Sequence, residues 1–195
     1  MFNDKRIVLG SQSPRRSHLL EQMGIEFEIR TQDALEIFPE AMHPEDVPAY
    51  LSRLKAKELE STLKAQEILI TADTVVIIDD QVVGKPQDAV EAFDMVKNLS
   101  NKVHKVVTGV TILDANSKSV SFSETTYVIF RRLSDADIKH YLHEYKPFDK
   151  AGAYGIQEWI GMIGIEKIDG CYYNVMGLPT SRLYLELNKF LTKEV

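Results

Sequence analysis

Apolar residues along this chain come in short runs, split by polar clusters rich in turn formers. That rhythm predicts alternating strands and helices. Arg6–Leu9 (RIVL) predicts a strand and Gly10–Pro14 a small, polar loop. A helical pattern follows from Arg15, with Leu19, Leu20 and Met23 on one face and Gly24 as its stop. Ile25–Ile29 alternates as a second strand. Residues 30–43 read as an irregular polar loop carrying Asp33, Glu36 and Glu40. From Pro44 to about Leu63 the spacing of Tyr50, Leu51, Leu54 and Leu59 is helical. The chain is organised around Glu67–Pro86. Here Ile68–Ile70 and Val75–Ile78 are apolar runs rich in β-branched residues, flanked by Asp79, Asp80, Gly84 and Pro86. They predict a buried strand, a tight turn and a short return strand.

Asp88 is placed to cap a helix running to about Leu99, with Val90, Phe93, Met95 and Val96 as its apolar residues. Lys105–Leu113 and Ser119–Phe130 are strand-like and joined by the turn-rich Asp114–Lys118, a hairpin that makes the sheet mixed. Ser134 caps a helix over Asp135–Glu144, with Asp137 completing a capping box. Pro147–Gln157 (PFDKAGAYGIQ) is a loop of small residues that permits close backbone approach. Trp159, Ile160, Met162, Ile163 and Ile165 form an apolar patch. Ile165–Asp169 and Tyr172–Val175 read as short strands, and a last helix spans Pro179–Leu191. With no internal repeat, low-complexity tract or linker, the expectation is one compact α/β unit over residues 1–195.

Composition narrows the class. The chain has 195 residues, 44% hydrophobic and 27% charged, enough for one full core. A net charge of −6 argues against a nonspecific nucleic-acid or anionic-membrane binder. Any phosphate ligand then has to meet a local basic cluster. No apolar run approaches the roughly 18 residues of a membrane span, and MFNDKRIVLG has no signal-peptide core. The single Cys171 excludes an internal disulfide framework and a cysteine zinc site. These features lead us to expect a cytoplasmic protein.

Candidate chemistry starts at Asp73. A carboxylate inside a buried strand is costly unless paired, hydrogen-bonded or bound to a cation. By local logic it is equally a strand-end residue bonded to backbone. Lys85, just past the return strand, is positioned to face the same place. The Gly10–Pro14 loop leads from a strand into a helix N-terminus, with Ser13 as a candidate cap and Pro14 at the first helical position. Such a terminus binds anions through free N–H groups and the helix dipole. Arg15 and Arg16 stand in the first turn, where the dipole disfavours cations, which points to an anionic ligand or else to solvated surface arginines. The loop lacks the G-x-x-x-x-G-K-[ST] spacing of a Walker sequence. Lys55, Lys57 and Lys64 read as snorkelling surface side chains. His140 and His143 have metal-pair spacing but no third ligand, and read as surface histidines.

Taken together, Gly10–Arg16 (GSQSPRR), Lys55-Ala56, Ala72–Val76 (ADTVV), Gly84–Pro86 (GKP), Lys150–Gln157 (KAGAYGIQ) and Asn174–Pro179 (NVMGLP) resemble the Maf family, in order and over essentially the whole chain. Its members are nucleoside triphosphate pyrophosphatases, historically called septum-formation inhibitors. The resemblance implies an α/β fold related to the inosine triphosphatase group, with a long mixed sheet flanked by helices and a cleft between two lobes. It implies phosphate binding by Ser11, Arg15 and Arg16, a lysine of a helical Lys-Ala motif at Lys55, and a Lys-Pro lysine at Lys85. Asp73 matches the catalytic base, and Glu36 the acid of the loop after the second strand. Arg15, Thr74 and Gln157 match positions that separate substrate subgroups. SPRR, ADT and GIQ are similar to the subgroup acting on dTTP and UTP, whereas the subgroup acting on 7-methyl-GTP differs after the Ser-Pro and after the Asp.

The implied reaction is attack of water at the α-phosphorus, giving monophosphate and pyrophosphate. Glu36 and Asp73 would hold Mg²⁺ or Mn²⁺, and Asp73 would be base, metal ligand or both. Thr74, Gln157 and the 151–157 backbone would read the base. The resemblance further implies a homodimer, with neither a nucleic-acid polymer nor a membrane as partner. Pool cleansing of modified pyrimidine nucleotides is an equal reading of the substrate. A 7-methyl-GTP pyrophosphatase, a phosphomonoesterase and a non-catalytic nucleotide-binding regulator of cell division are the alternatives. Three departures from the family pattern touch no charged group: Gly10 and Ser52 where alanine is commoner, and Cys171 where serine is common. Gly10 is expected to loosen its loop slightly.

Overall fold

The computed structural model describes residues 5–32 and 36–192. Asp33 of the polar loop lies outside the described residues. In chain order the elements are β1 (Arg6–Leu9), α1 (Pro14–Gln22), β2 (Phe27–Ile29), α2 (Val47–Glu60), β3 (Glu67–Ile78) and β4 (Gln81–Val83). Then come α3 (Ala89–Leu99), β5 (Val103–Asp114), β6 (Ser119–Phe130), α4 (Asp135–Tyr145), α5 (Trp159–Gly164), β7 (Ile165–Asp169), α6 (Tyr172–Met176) and α7 (Thr180–Thr192). Short 3-10 turns cover Pro44–Asp46 and Ala151–Ala153.

The strands follow the order β2-β1-β3-β5-β6-β7, with β4 paired to β3. β1 is parallel to both β2 and β3, with Leu9 opposite Ile29 and Ile70. β4 is antiparallel to β3, and β7 antiparallel to β6. The sheet is therefore mixed, with helices joining its strands. Asp79 and Asp80, at φ 50° and 56°, make the tight turn between β3 and β4. Two successive left-handed residues suit a two-residue hairpin, and aspartate tolerates them well.

The chain falls into two compact units. One is drawn from Met1–Asp73, Thr108–Glu124 and Gly177–Val195, the other from Thr74–Val107 and Thr125–Met176. In the first, Val8 of β1 and Leu69 of β3 pack with Ala56 and Leu59 of α2 and Leu113 of β5. α2 lies hard against β5. A Cβ on Gly109 would stand 2.2–2.4 Å from backbone atoms of Pro48 and Ala49, so only glycine permits that approach. Ser52 of α2, fully buried, shares a hydrogen bond with Thr111 (2.8 Å), and Thr71 of β3 donates to its carbonyl (2.7 Å). Arg30 donates to both oxygens of the buried Glu67 carboxylate, at 2.9 and 3.3 Å. Gly10 is buried; a Cβ there would come within 2.7 Å of the Thr71 methyl and 2.9 Å of a Leu59 methyl. The glycine allows this tight packing.

In the second unit the core draws on Val96 of α3, Phe130 of β6, Ile138 and Tyr141 of α4, Tyr154 of the following loop and Ile160 of α5. Asp88 caps α3 by accepting from Val90 and Glu91 N–H, both at 2.9 Å. Ser134 and Asp137 form both halves of a capping box on α4. Two expectations fail. The helix predicted over Pro44–Leu63 starts as a 3-10 turn and ends at Glu60. Tyr172–Val175, predicted as a strand, is the helix α6. Its Asn174 amide donates to the carbonyl of Val106 and to Thr126 Oγ1, both at 3.0 Å, while Cys171 N–H also donates to Thr126. Those side-chain bonds to β5 and β6 fix the segment, and local β-propensity loses to them.

Candidate functional site

β1 ends at Leu9, and the chain leaves the carboxyl end of a parallel strand through Gly10–Ser13 into α1. This is the place where α/β folds offer backbone N–H groups to ligands. Ser13 holds the cap position in an extended conformation, but its hydroxyl makes no cap bond, contrary to expectation. Ser11 supplies the local bond instead: its buried hydroxyl accepts from Ser13 N–H (3.2 Å) and from an Arg16 guanidinium N–H (3.1 Å). Arg16 Nε also donates to the Gly177 carbonyl at 2.8 Å, just ahead of α7. Arg16 is thus braced from two sides across the mouth of the loop. Burial pulls its pKa down, Asp73 and Glu36 pull it back up, and neighbouring Arg15 lowers it further. Arg15 itself lies half-buried in the first turn of α1.

Asp73 continues β3 three residues past Ile70 and is 7% exposed. Its Oδ1 accepts from Lys55 Nζ of α2 at 2.6 Å. The same ammonium meets Glu36 Oε1 at 2.7 Å. Lys55 is therefore an ion-paired centre and not the snorkelling surface lysine its local pattern predicts. The structure brings together Ser11, Arg16, Glu36, Lys55 and Asp73 within the first unit. α2 holds Lys55 in place through Gly109 and the Ser52–Thr111 bond one turn earlier. Sequence reading noted Ser52 only as a departure from alanine. A buried serine among apolar helix positions, facing threonines on two strands, was the missed signal.

Two carboxylates from different elements converge on one cationic point, here filled by Lys55 Nζ. Hard oxygen donors of this type fit Mg²⁺ or Mn²⁺ in character. Among the described residues no group of three or more His, Cys, Asp and Glu could hold a metal, so the protein's share of such a site would be these two carboxylates.

Thr74, Lys85 and Gln157 belong to the second unit. Thr74 is half-buried on β3, while Lys85 and Gln157 are exposed. Gly152 N–H donates to the Gly84 carbonyl at 2.9 Å, tying the Lys85 turn to the 151–157 loop. Gly152, at φ +68°, also faces Val76 of β3 so closely that a Cβ would lie 3.1 Å away. Tyr154, in the same loop, hydrogen-bonds the buried His104 at 2.8 Å, ring edges packed on Phe130. Burial lowers the His104 pKa to about 4 and raises that of Tyr154, so both stay neutral at ordinary pH. Of the histidines singled out by spacing, His143 bonds its neighbour Glu144 and His140 packs edge-on against Trp159. Among the described residues, no helix is long and apolar enough to cross a membrane.

The family described as Maf-like protein matches residues 6–190. A dTTP/UTP pyrophosphatase of Parabacteroides distasonis is 49% identical over 95% of this chain and 96% of its own. Another dTTP/UTP pyrophosphatase, from Porphyromonas gingivalis, is 50% identical over 95% of this chain and 94% of its own. Among solved structures, a HAM1 protein from Coxiella burnetii aligns over 66% of this chain and 74% of its own, at 15% identity and a TM-score of 0.44. That last likeness is too loose to carry anything about the site.

Proposed function

This chain belongs to the Maf-like protein family, and on that premise we propose that it hydrolyses dTTP and UTP to the monophosphate and pyrophosphate. Relatives bearing that activity in their names match nearly end to end at about half identity. The observation that carries the reading is the Lys55 ammonium held between Asp73 and Glu36, in the same unit as the braced Arg16 and the loop after β1. A triphosphate brings the negative charge such a cationic loop lacks. Its hydrolysis needs positioning and charge stabilisation more than covalent chemistry.

In this mechanism Arg16, Ser11 and the N–H groups opening α1 bind phosphate oxygens, with Arg15 beside them. Lys55 leaves its carboxylates for the substrate's phosphates, and Lys85, the lysine of the Lys-Pro motif, is a further candidate phosphate-binding ammonium. Asp73 accepts a proton from the attacking water. The new oxygen–phosphorus bond forms at the α-phosphorus, the bond from that phosphorus to the bridging oxygen breaks, and its electron pair leaves with pyrophosphate. Asp73 and Glu36 would hold a divalent cation, Mg²⁺ or Mn²⁺, which supplies positive charge to the triphosphate. Thr74 and Gln157 read the pyrimidine. A site whose polar groups pair with the uracil or thymine edge rejects bases that leave them unpaired. Modified pyrimidine nucleotides are accepted on the same logic, which suits a pool-cleansing enzyme.

The test is pyrophosphate release from a panel of nucleoside triphosphates with Mg²⁺ or Mn²⁺. We expect dTTP and UTP to turn over and Asp73→Asn to be folded but nearly inactive. Preference for 7-methyl-GTP would move the chain to the sister subgroup. No turnover of any nucleotide, with binding retained, would overturn the enzymatic reading in favour of a regulator.

A further inference from the structure

Gln157 is exposed, yet one buried hydroxyl holds both its flanks, the Gly155 backbone N–H on one side and the Glu158 side chain on the other. Tyr141 of α4 is fully buried and stacked on Tyr145, ring centroids 5.3 Å apart. Its Oη accepts from Gly155 N–H at 3.0 Å, two residues before Gln157. Its O–H donates to Glu158 Oε2, one residue after Gln157. Glu158 Oε1 in turn meets Lys150 Nζ at 3.1 Å, and Lys150 also pairs with Asp149 at 2.7 Å. The Glu158 N–H donates back to the Gly155 carbonyl at 3.0 Å, closing the turn that presents residue 157. Burial and the neighbouring Glu158 carboxylate both raise the Tyr141 pKa, so the phenol keeps the proton it donates. Glu158 was not among the residues the family motifs marked, and Tyr141 lies well outside them.

We propose that Tyr141 is a positioning residue for nucleobase selection: its hydroxyl, bonded to Gly155 and Glu158, fixes the orientation of Gln157 towards the pyrimidine. The inference rests on the base-reading role given to Gln157 above. A glutamine amide on a free loop would lose rotational and backbone freedom on binding and could turn either its oxygen or its NH₂ to the base. Holding the turn through Gly155 N–H and the Glu158 side chain removes the backbone part of that cost beforehand. The hydrogen bonds of the phenol go to Gly155 and Glu158 on either side of Gln157, so it acts on selectivity through Gln157.

The experiment compares wild type, Gln157→Ala, Tyr141→Phe, Glu158→Gln and Glu158→Ala. Steady-state kinetics on UTP and CTP give the ratio of their kcat/KM values, and amide exchange follows residues 151–158. We expect Gln157→Ala to lower the UTP preference about tenfold. Tyr141→Phe should lower it roughly three- to tenfold, the size of one lost hydrogen bond, mainly through a higher KM for UTP with kcat little changed, and should speed exchange at Gly155. Glu158→Ala, which removes the same anchor from a half-buried position, should reproduce this, and Glu158→Gln, which still accepts from the phenol, should rescue most of it. If Tyr141→Phe does not fold, the two Glu158 variants decide. Equal losses on UTP and CTP, or a changed kcat alone, would reduce the anchor to a structural role and overturn the inference. If Gln157→Ala leaves the preference intact, the base-reading role itself falls and the inference with it. A Gln157→Ala effect without a Tyr141 or Glu158 effect overturns the inference alone.

Discussion

The two units solve different physical problems with different residue types. The first gathers charge: Lys55 between Asp73 and Glu36, Arg16 braced on Ser11 and Gly177, and, away from these, Arg30 on the buried Glu67. The second fastens its loop largely with neutral donors: Gly152 to Gly84, Tyr154 to His104, and the Tyr141 hydroxyl to Gly155 and to the Glu158 carboxylate, itself paired with Lys150. Charge suits a polyanion, whose recognition is long-ranged and tolerant of small displacements. Fixed neutral donors and acceptors suit a flat base, whose recognition depends on angles. On the roles proposed above, the charged groups of the first unit suit phosphate, and the hydroxyl-fastened loop of the second suits a base.

The largest effect that would break this contrast is at Asp73. Asp73→Asn keeps the shape but removes the proton acceptor, and turnover should fall by about 10²–10⁴-fold with the thermal midpoint nearly unchanged. A variant that retains wild-type turnover would make Asp73 structural. Next, Arg30→Ala leaves the buried Glu67 carboxylate only the Lys64 N–H and a longer Arg6 pair, and should cost about 1.5–3 kcal/mol by denaturant unfolding. Arg30, followed by the Lys64 N–H, holds the Glu67 pKa down to about 2. Its stabilising share is complete above pH 4.5 and is lost as pH falls towards 2, a slope that Arg30→Ala should erase.

The second unit has its own acid limit in a different window. His104 is neutral and buried, with its folded pKa near 4 against 6.5 when exposed. The unfolded chain therefore takes up a proton the folded one refuses. Stability is full above pH 6.5 and declines by roughly 3 kcal/mol as pH drops to 4. His104→Leu should flatten that window while leaving the lower one in place. The smallest effect concerns the capping box of α4. Ser134→Ala should cost about 1 kcal/mol and, resting on neutral-to-backbone bonds in part, should depend little on salt. The Arg30–Glu67 loss is read at low and high salt for contrast.

Much of this was legible in the pattern of residues. The β3–β4 hairpin, the capped α3 and α4, and the long β5–β6 hairpin follow from local periodicity and turn chemistry that any environment would favour. Asp73 stood out because a carboxylate inside an apolar run needs a partner. The partner did not stand out: by local pattern Lys55 looked like any helix-surface lysine, since a separation of 18 positions gives no hint of a 2.6 Å contact. Tyr172–Val175 misled because aromatic and β-branched residues favour strands, while the bonds of Asn174 to Val106 and Thr126 come from far along the chain.

The sequence by itself determined the alternation of elements, the positions of the turns and caps, and the roster of charged groups, because each depends on neighbours within a few residues. Only the tertiary structure decided which charges meet, which serine is buried, and that one tyrosine hydroxyl fastens both flanks of Gln157. Those are contacts across tens of residues. They are set by how strands align and how closely Gly109 lets α2 approach β5, and no local pattern encodes that distance.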